Sequence, residues 1–439
     1  MTGDSSREIG CGSPAHFSRR TLLQWGAASG IAWLTPVAEQ LARAAESAPH
    51  GAPAKSVIVL WMAGGPSQHD TFDPMPGKKI GGEVKAIATA SEAKIAAGFE
   101  QLAEQMNHIS LIRSITSKEG DHERATYNVK TGFRPTPTIT HPSIGAIACH
   151  ELPVGETKIP RHISILPNQW PGRGGYLGQK HDAFRSYDPK YQLPDVAPRV
   201  GQERLTERFA GLQVIENAFA QGRLPQLEAK KTLHNATMDG ARAMMDSDQR
   251  KAFDVSLESA EWQKAFGDNA FGRGCLAAAR LIQVGVRCVE VTLDGWDSHV
   301  NNFETQKARI ATLDPAYASL LRYLKDHKDA AGRSLLDSTL VLWAGEFGRT
   351  PTINPAAGRD HWPHSFTFAL AGGGIRGGLV HGATDPEGGK ESSDPVTIAD
   401  VHATMLSALG IDGNKEFYTT AGRPIRLNDD GGALKKLLL

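Results

Sequence analysis

The sequence has four cysteines in 439 residues, no excess charge of either sign, and no long hydrophobic run. Each shortage excludes something. Forty-eight Lys and Arg balance 48 Asp and Glu, so the chain lacks the standing positive field that a nucleic-acid binder or a polybasic membrane-surface protein needs. Cys149, Cys275 and Cys288 lie beyond the N-terminal leader, are odd in number and form no C-x-x-C pair. They specify neither a disulfide framework nor a thiolate zinc site. Cys275 and Cys288 stand among apolar neighbours and read as packing residues. The apolar run from Trp25 to Leu34 is far shorter than the roughly 20 residues that cross a bilayer, so no stable membrane span is expected. What is present, 40% hydrophobic residues with 46 Gly and 25 Pro, is the composition of a loop-rich globular chain.

The first residues form a unit of their own. Ser18-Arg19-Arg20-Thr21-Leu22-Leu23 is a twin-arginine pair followed by leucines, then comes the weakly apolar run, and Ala42-Arg43-Ala44 is a small-x-small cleavage site. In that order they predict a twin-arginine signal peptide over 1–44, recognition by the twin-arginine translocation machinery, and a periplasmic or secreted product. The remainder, 45–439, is long enough for one large α/β domain or two smaller ones, and is expected to be one.

Five short apolar runs without helical periodicity predict buried strands: Val57 to Met62, Ile109 to Ile112, Cys288 to Leu293, Thr339 to Trp343, and Phe366 to Leu370. Between them lie helical stretches such as Asp314 to Asp329, where Leu320, Leu321 and Leu324 recur at helical spacing. This alternation predicts a mostly parallel central sheet with helices on both faces. The stretch from about 202 to 283 is rich in Ala, Glu, Lys and Leu, without strand-like runs, and is expected to be a helical insertion; further crossover helices are the alternative.

Ligands of open α/β sheets bind beyond the carboxyl ends of the strands, and acids and imidazoles collect there. Gly64-Gly65-Pro66-Ser67-Gln68-His69-Asp70 follows the first run, and Gly120-Asp121-His122-Glu123-Arg124 the second. Asp294-Gly295-Trp296-Asp297-Ser298-His299 follows the third and Gly345-Glu346-Phe347-Gly348-Arg349 the fourth, while Gly358-Arg359-Asp360-His361-Trp362-Pro363-His364 precedes the fifth. Taken singly, each has an ordinary explanation. Asp294 and Asp297 are good helix caps, the histidines suit loops, Glu346 can pair with Arg349, and Gly64-Gly65 lacks the rest of a phosphate-cradling pattern. Five such stretches at one edge predict a divalent metal site, with imidazoles favouring Zn or Mn over Ca or Mg.

In their order these pieces resemble the alkaline phosphatase and sulfatase superfamily. More closely, the Gly64 to Asp73, Gly295 to His299, Gly345 to Pro351 and Gly358 to Trp362 stretches resemble the twin-arginine-exported bacterial family named domain of unknown function 1501. The resemblance implies an alkaline phosphatase-like fold with a metal held by Asp294 or Asp297 with His299, and by His361 or His364. Asp70 matches the acid after the first strand, Glu346 stands at the end of its strand, and Asp121 and Asp360 are further candidate ligands. Phe347 takes the position of a neighbouring His ligand. His402, in the Val396 to Leu406 stretch, is expected to be structural. The sulfatase nucleophile is missing, since Asp121-His122-Glu123-Arg124-Ala125-Thr126 contains no Cys and no Ser. Thr126 is then one candidate nucleophile, and a metal-activated water the other. His122 is a candidate in catalysis or as an extra ligand, and Arg124 or Arg349 a candidate grip on the anion. The implied activity is metal-dependent hydrolysis of phosphate or sulfate esters, with a small anionic ester or a sulfated or phosphorylated glycan as substrate. The alternative is a non-catalytic relative that binds anionic glycans or an exported partner.

Overall fold

The computed structural model describes residues 53–196, 199–221, 233–329, 331–418 and 422–439; the expected signal peptide lies outside them. Strand β1, Ser56–Met62, is buried at all seven positions. Alternate side chains of a strand point to opposite faces, and the chain covers both. Val57, Val59 and Trp61 join one core, and Ile58, Leu60 and Met62 the other. The first core is closed by α1 (His122–Thr131), α2 (Ile144–Glu151) and α8 (Ile398–Ala408), through Val129, Ile144, Ile147 and Met405. The second is closed by α6 (Ala270–Gln283) and α7 (Asn302–Asp326), through Leu276, Leu313, Tyr317 and Leu320.

The other strands of the central sheet are β2 (Ile109–Thr116), β3 (His162–Ile165), β4 (Phe184–Ser186), β5 (Cys288–Leu293), β6 (Thr339–Ala344), β9 (Phe366–Gly372), β10 (Val380–His381) and β11 (Val396–Thr397). Their order is β10-β2-β9-β6-β1-β5-β3-β4, with β11 also paired to β2. A separate two-stranded ribbon joins β7 (Gly348–Arg349) to β8 (His361–Trp362). All five expected apolar runs are strands, and the sheet is mostly parallel with helices on both faces, as the sequence predicts. Strand β9 departs from this, pairing antiparallel with both β2 and β6. That reversal matters for the site. The beginning of β9, rather than its end, lies at the edge where β1, β2, β5 and β6 finish, so the segment before β9 meets the segments that follow the other four.

Helix α7 starts twelve residues before the expected Asp314, at Asn302, and contains Pro315. Proline removes one backbone donor, but burial of Leu313, Ala316, Tyr317 and Leu320 holds the turns on either side. Within 202–283 the described residues form only helical segments: α3 (Gln202–Ala220), α4 (Leu233–Met245), α5 (Ala260–Ala265), α6 and two 3-10 turns. Ten of the fourteen residues of α6 are buried, and it packs against β5 and α7, so it belongs to the layer covering the sheet. Among the described residues, no helix is long and apolar enough to cross a membrane.

Candidate metal centre

Close approach at the carboxyl edge begins with glycine. Gly64, at φ +108, follows β1, and a β-carbon there would stand 2.4 Å from the Asp297 backbone nitrogen. Its absence lets the turn after β5 close onto the end of β1. Asp121 caps α1 by accepting the Arg124 N–H at 3.1 Å, which starts the helix at His122 and carries that imidazole to the same place. The β7–β8 ribbon, pairing His361 with Arg349, delivers the last imidazole.

Four side chains converge. His122 Nε2 lies 3.4 Å from Asp297 Oδ2, while His299 Nε2 and His361 Nε2 lie 3.2 and 3.5 Å from Asp297 Oδ1. His299 Nε2 and His361 Nε2 are 3.0 Å apart. Donors bonded to one ion at about 2.0–2.1 Å in a tetrahedron stand about 3.3 Å from one another, the scale of these separations; His122 approaches Asp297 through Oδ2, the other two imidazoles through Oδ1. His122, Asp297 and His361 form a group whose ligand atoms all lie within 4.8 Å of one another and could hold a metal ion; His299 stands beside it, close to Asp297 and His361 but outside that group.

The outer nitrogens explain why the inner ones face each other. His361 Nδ1 meets the Gly120 carbonyl at 2.9 Å, His299 Nδ1 meets Asp360 Oδ1 at 2.7 Å, and His122 Nδ1 meets Glu346 Oε1 at 2.8 Å. A carbonyl or a carboxylate can only accept, so each Nδ1 carries a proton, and in a neutral imidazole that leaves Nε2 as the atom able to ligate. This is the arrangement by which outer partners fix metal-binding imidazoles. Two lone pairs 3.0 Å apart repel unless a proton or a cation lies between them. Burial holds His361 below the usual imidazole pKa, with its hydrogen bond to Gly120 pulling the other way. The hydrogen bond that His122 donates to Glu346 outweighs burial and raises the imidazole pKa. At Asp297, burial is overcome by the charge and hydrogen bond of Arg349, and the carboxyl is lowered.

Arg349 is fully buried. Its guanidinium donates to Asp297 Oδ1 at 2.6 Å, to the Gly65 carbonyl at 2.9 Å, to the Arg359 carbonyl at 3.1 Å and to the Gly64 carbonyl. With its donors so engaged it anchors the site and has no free face for a substrate anion. Phe347 closes the apolar wall, its ring 4.2 Å from that of His361 and 5.0 Å from that of His122.

The remaining residues singled out in the sequence are placed elsewhere. Asp70 is buried and held by Arg359 Nε at 2.9 Å, Asn302 Nδ2 at 3.0 Å and the Ser67 hydroxyl. Asp121 serves as the α1 cap, and Asp294 accepts the N–H of Gly295 at 2.7 Å. His364 stands edge-on to Trp362. Arg124 grips Glu119 with two bonds, of 2.7 and 3.1 Å. The Thr126 hydroxyl is buried without a hydrogen-bond partner. Glu346 and Asp360 lie one step out, each orienting an imidazole. Sequence reasoning gave no part to Gly120, whose contribution is a backbone carbonyl that no residue type announces, or to Arg359, visible only as an arginine beside the Asp360-His361 pair.

The fold and site together define an α/β protein with an imidazole and carboxylate centre at the carboxyl edge of its sheet. The model of the family described as protein of unknown function (DUF1501) matches residues 54–438, and the chain belongs to that family. No curated protein matches it. Among solved structures it is similar to a protein in the alkaline phosphatase superfamily from Vibrio parahaemolyticus, with 12% identity, TM-score 0.34, and 83% of this chain and 69% of that one covered. It is also similar to the lipoteichoic acid synthase LtaP from Listeria monocytogenes, with 11% identity, TM-score 0.36, and 88% and 76% covered. A third is the C-terminal periplasmic domain of EcEptC from Escherichia coli in complex with Zn, with 10% identity, TM-score 0.34, and 74% of each chain covered. At these values the likenesses bear on neither substrate nor mechanism.

Proposed function

We propose that the protein is an exported, metal-dependent hydrolase of phosphate or sulfate esters. The observation that carries the metal is the group of His122, Asp297 and His361, whose ligand atoms all lie within 4.8 Å of one another, with His299 Nε2 beside it at 3.0 Å from His361 Nε2. His122, Asp297 and His361 would hold one divalent ion, with His299 beside them as a further donor, Zn or Mn by the chemistry of imidazoles and a carboxylate. Such an ion supplies Lewis-acid polarisation of an ester and the acidity that makes water a nucleophile at neutral pH. Glu346, Asp360 and the Gly120 carbonyl keep the imidazoles in the ligating tautomer, and Arg349 offsets the charge of Asp297. With Phe347 occupying one wall and Asp70 neutralised by Arg359, the centre suits one ion rather than two. The shielded Thr126 hydroxyl makes no hydrogen bond to a base, which favours water as the nucleophile. Export follows from the Ser18 to Leu23 stretch and the Ala42-Arg43-Ala44 site.

One feature favours a second reading. Were His299 added to the three, four protein donors would fill a tetrahedral zinc, and sites so filled are structural; hydrolysis would then require an ion that accepts a fifth ligand. A centre that binds metal without turnover would make this a binding protein for anionic glycans or an exported partner.

Elemental analysis of the mature protein, purified without added metal, separates these outcomes. One equivalent of Zn or Mn, lost in Asp297→Ala and His361→Ala, is expected, together with hydrolysis of 4-nitrophenyl phosphate or sulfate. Metal without hydrolysis of any ester supports the second reading. Absence of metal after dialysis against Zn and Mn refutes the centre.

A further inference from the structure

On the flank of α1 that continues from His122 lies a hollow of about 320 Å³, walled by Thr126, Tyr127, Lys130, His141, Trp170 and Gly172. At 3.6 residues per turn, Thr126 is displaced about 40° around the helix from His122 and Lys130 about 80°. Side chains four apart on a helix have β-carbons about 5–6 Å apart, so Thr126 on the wall of the hollow neighbours His122 along α1, while the metal-centre side chains themselves lie outside the lining. A larger hollow of about 880 Å³ includes Trp362 and His364. Successive strand residues point to opposite faces, so Trp362 on β8 faces away from the side on which His361 meets Asp297.

The floor of the smaller hollow is built around a buried ion pair. Lys130 Nζ reaches Glu290 Oε2 at 3.1 Å and the Trp170 carbonyl at 2.8 Å, and Glu290 Oε2 also accepts the Gly172 N–H at 3.0 Å. A β-carbon at Gly172 would stand 2.5 Å from Glu290 Oε1, so glycine lets the 169–173 loop sink onto the sheet. A buried ion pair adds little to stability. Here it ties that loop to α1 and β5 and so sets the shape of the hollow. It also cancels the lysine's charge. Burial brings His141 down to about 4, leaving it neutral, and the exposed Glu123 and Arg173 that also line the hollow carry opposite charges. The hollow is therefore no anion receptor. It combines the aromatic side chains of Trp170 and Tyr127 with a polar mouth, and its volume is at the small end for ligand pockets. That suits one polar ring and excludes a chain of them.

We infer that this hollow takes the alcohol half of the ester, a single neutral hydroxylated ring of cyclitol or monosaccharide size, with Trp170 as its stacking face. The inference rests on the ester-hydrolase reading above, and its test is arranged so that the two fail separately. Methyl phosphate is compared with inositol and hexose monophosphates, or the corresponding sulfates, in the metal-loaded protein. Trp170→Ala is expected to lower kcat/KM for the ring esters about tenfold. It should leave the methyl ester and the metal content unchanged, and Trp170→Phe should restore much of the loss. Equal loss on ring and methyl esters, or no loss, overturns the inference. If no ester turns over, the hydrolase reading fails by itself. Binding of free myo-inositol and glucose is then read by titration calorimetry in the wild type and in Trp170→Ala. Saturable binding that depends on Trp170 supports the hollow as a ring site, and no binding of either overturns it.

Discussion

Glu346 separates a metal ligand from a residue that orients one. Its Oε1 accepts two bonds of 2.8 Å, from Gly64 N and from His122 Nδ1, so its role is to hold His122 with Nε2 toward Asp297. In Glu346→Gln an amide oxygen can still accept from Gly64, but the bond to His122 loses its charge assistance, about half its strength. Removing such an outer partner costs about 10–100-fold in metal affinity, which is about 1.4–2.7 kcal/mol. We expect Glu346→Gln to bind one equivalent of metal about tenfold more weakly, and Glu346→Ala about 100-fold more weakly. Titration against a chromogenic chelator gives the affinity, and long-range nitrogen–proton NMR of the metal-free protein gives the tautomer. The spectrum should show Nδ1–H at His122 in the wild type and a mixture in Glu346→Gln. Because the Glu346 hydrogen bond is the largest cause raising His122, the titration of His122 should also move to lower pH. Unchanged affinity in both variants would refute the orienting role. Loss of the metal outright, as in His361→Ala, would make Glu346 a ligand.

Three other outcomes follow from the same geometry. Asp70→Ala leaves the Arg359 guanidinium buried without its carboxylate, and should lower stability by about 3–5 kcal/mol, measured by urea unfolding, while the variant still binds one equivalent of metal at low temperature; loss of metal from a folded Asp70→Ala would contradict this. Burial pushes His402 down to about 4, against the pull of its bond to the Val129 carbonyl. An unfolded imidazole protonates near 6.5, so the unfolded state binds more protons below that pH and stability falls from pH 6.5 toward 4 by up to about 1.4 kcal/mol per unit. His402→Gln should remove that share of the slope, and an unchanged slope would show that His402 is charged in the fold. Finally, Arg19→Lys with Arg20→Lys should leave the precursor in the cytoplasm on cell fractionation, and normal export would refute the leader reading.

The sequence by itself determined the layers and the edge at which chemistry gathers. Runs such as Val57 to Met62 are apolar at every position, and a strand of that kind is stable only when covered on both faces. The acids and imidazoles that interrupt packing had therefore to fall after the strands, where the site lies. Sequence could not rank those acids and imidazoles. Asp70, Asp294, Asp297, Glu346 and Asp360 are chemically alike, and the difference between facing the centre, orienting an imidazole and pairing with a buried arginine is a displacement of a few ångströms set by the fold. Tertiary structure decided that β9 runs backwards and so brings His361 to the edge, that Arg349 is sealed under Asp297 rather than open to an anion, and that His122 joins Asp297. It also made the Lys130 and Glu290 pair, whose members are 160 residues apart. Local pattern records which side chains a segment carries, whereas a site depends on distances between segments, and those are settled only when the whole chain has packed.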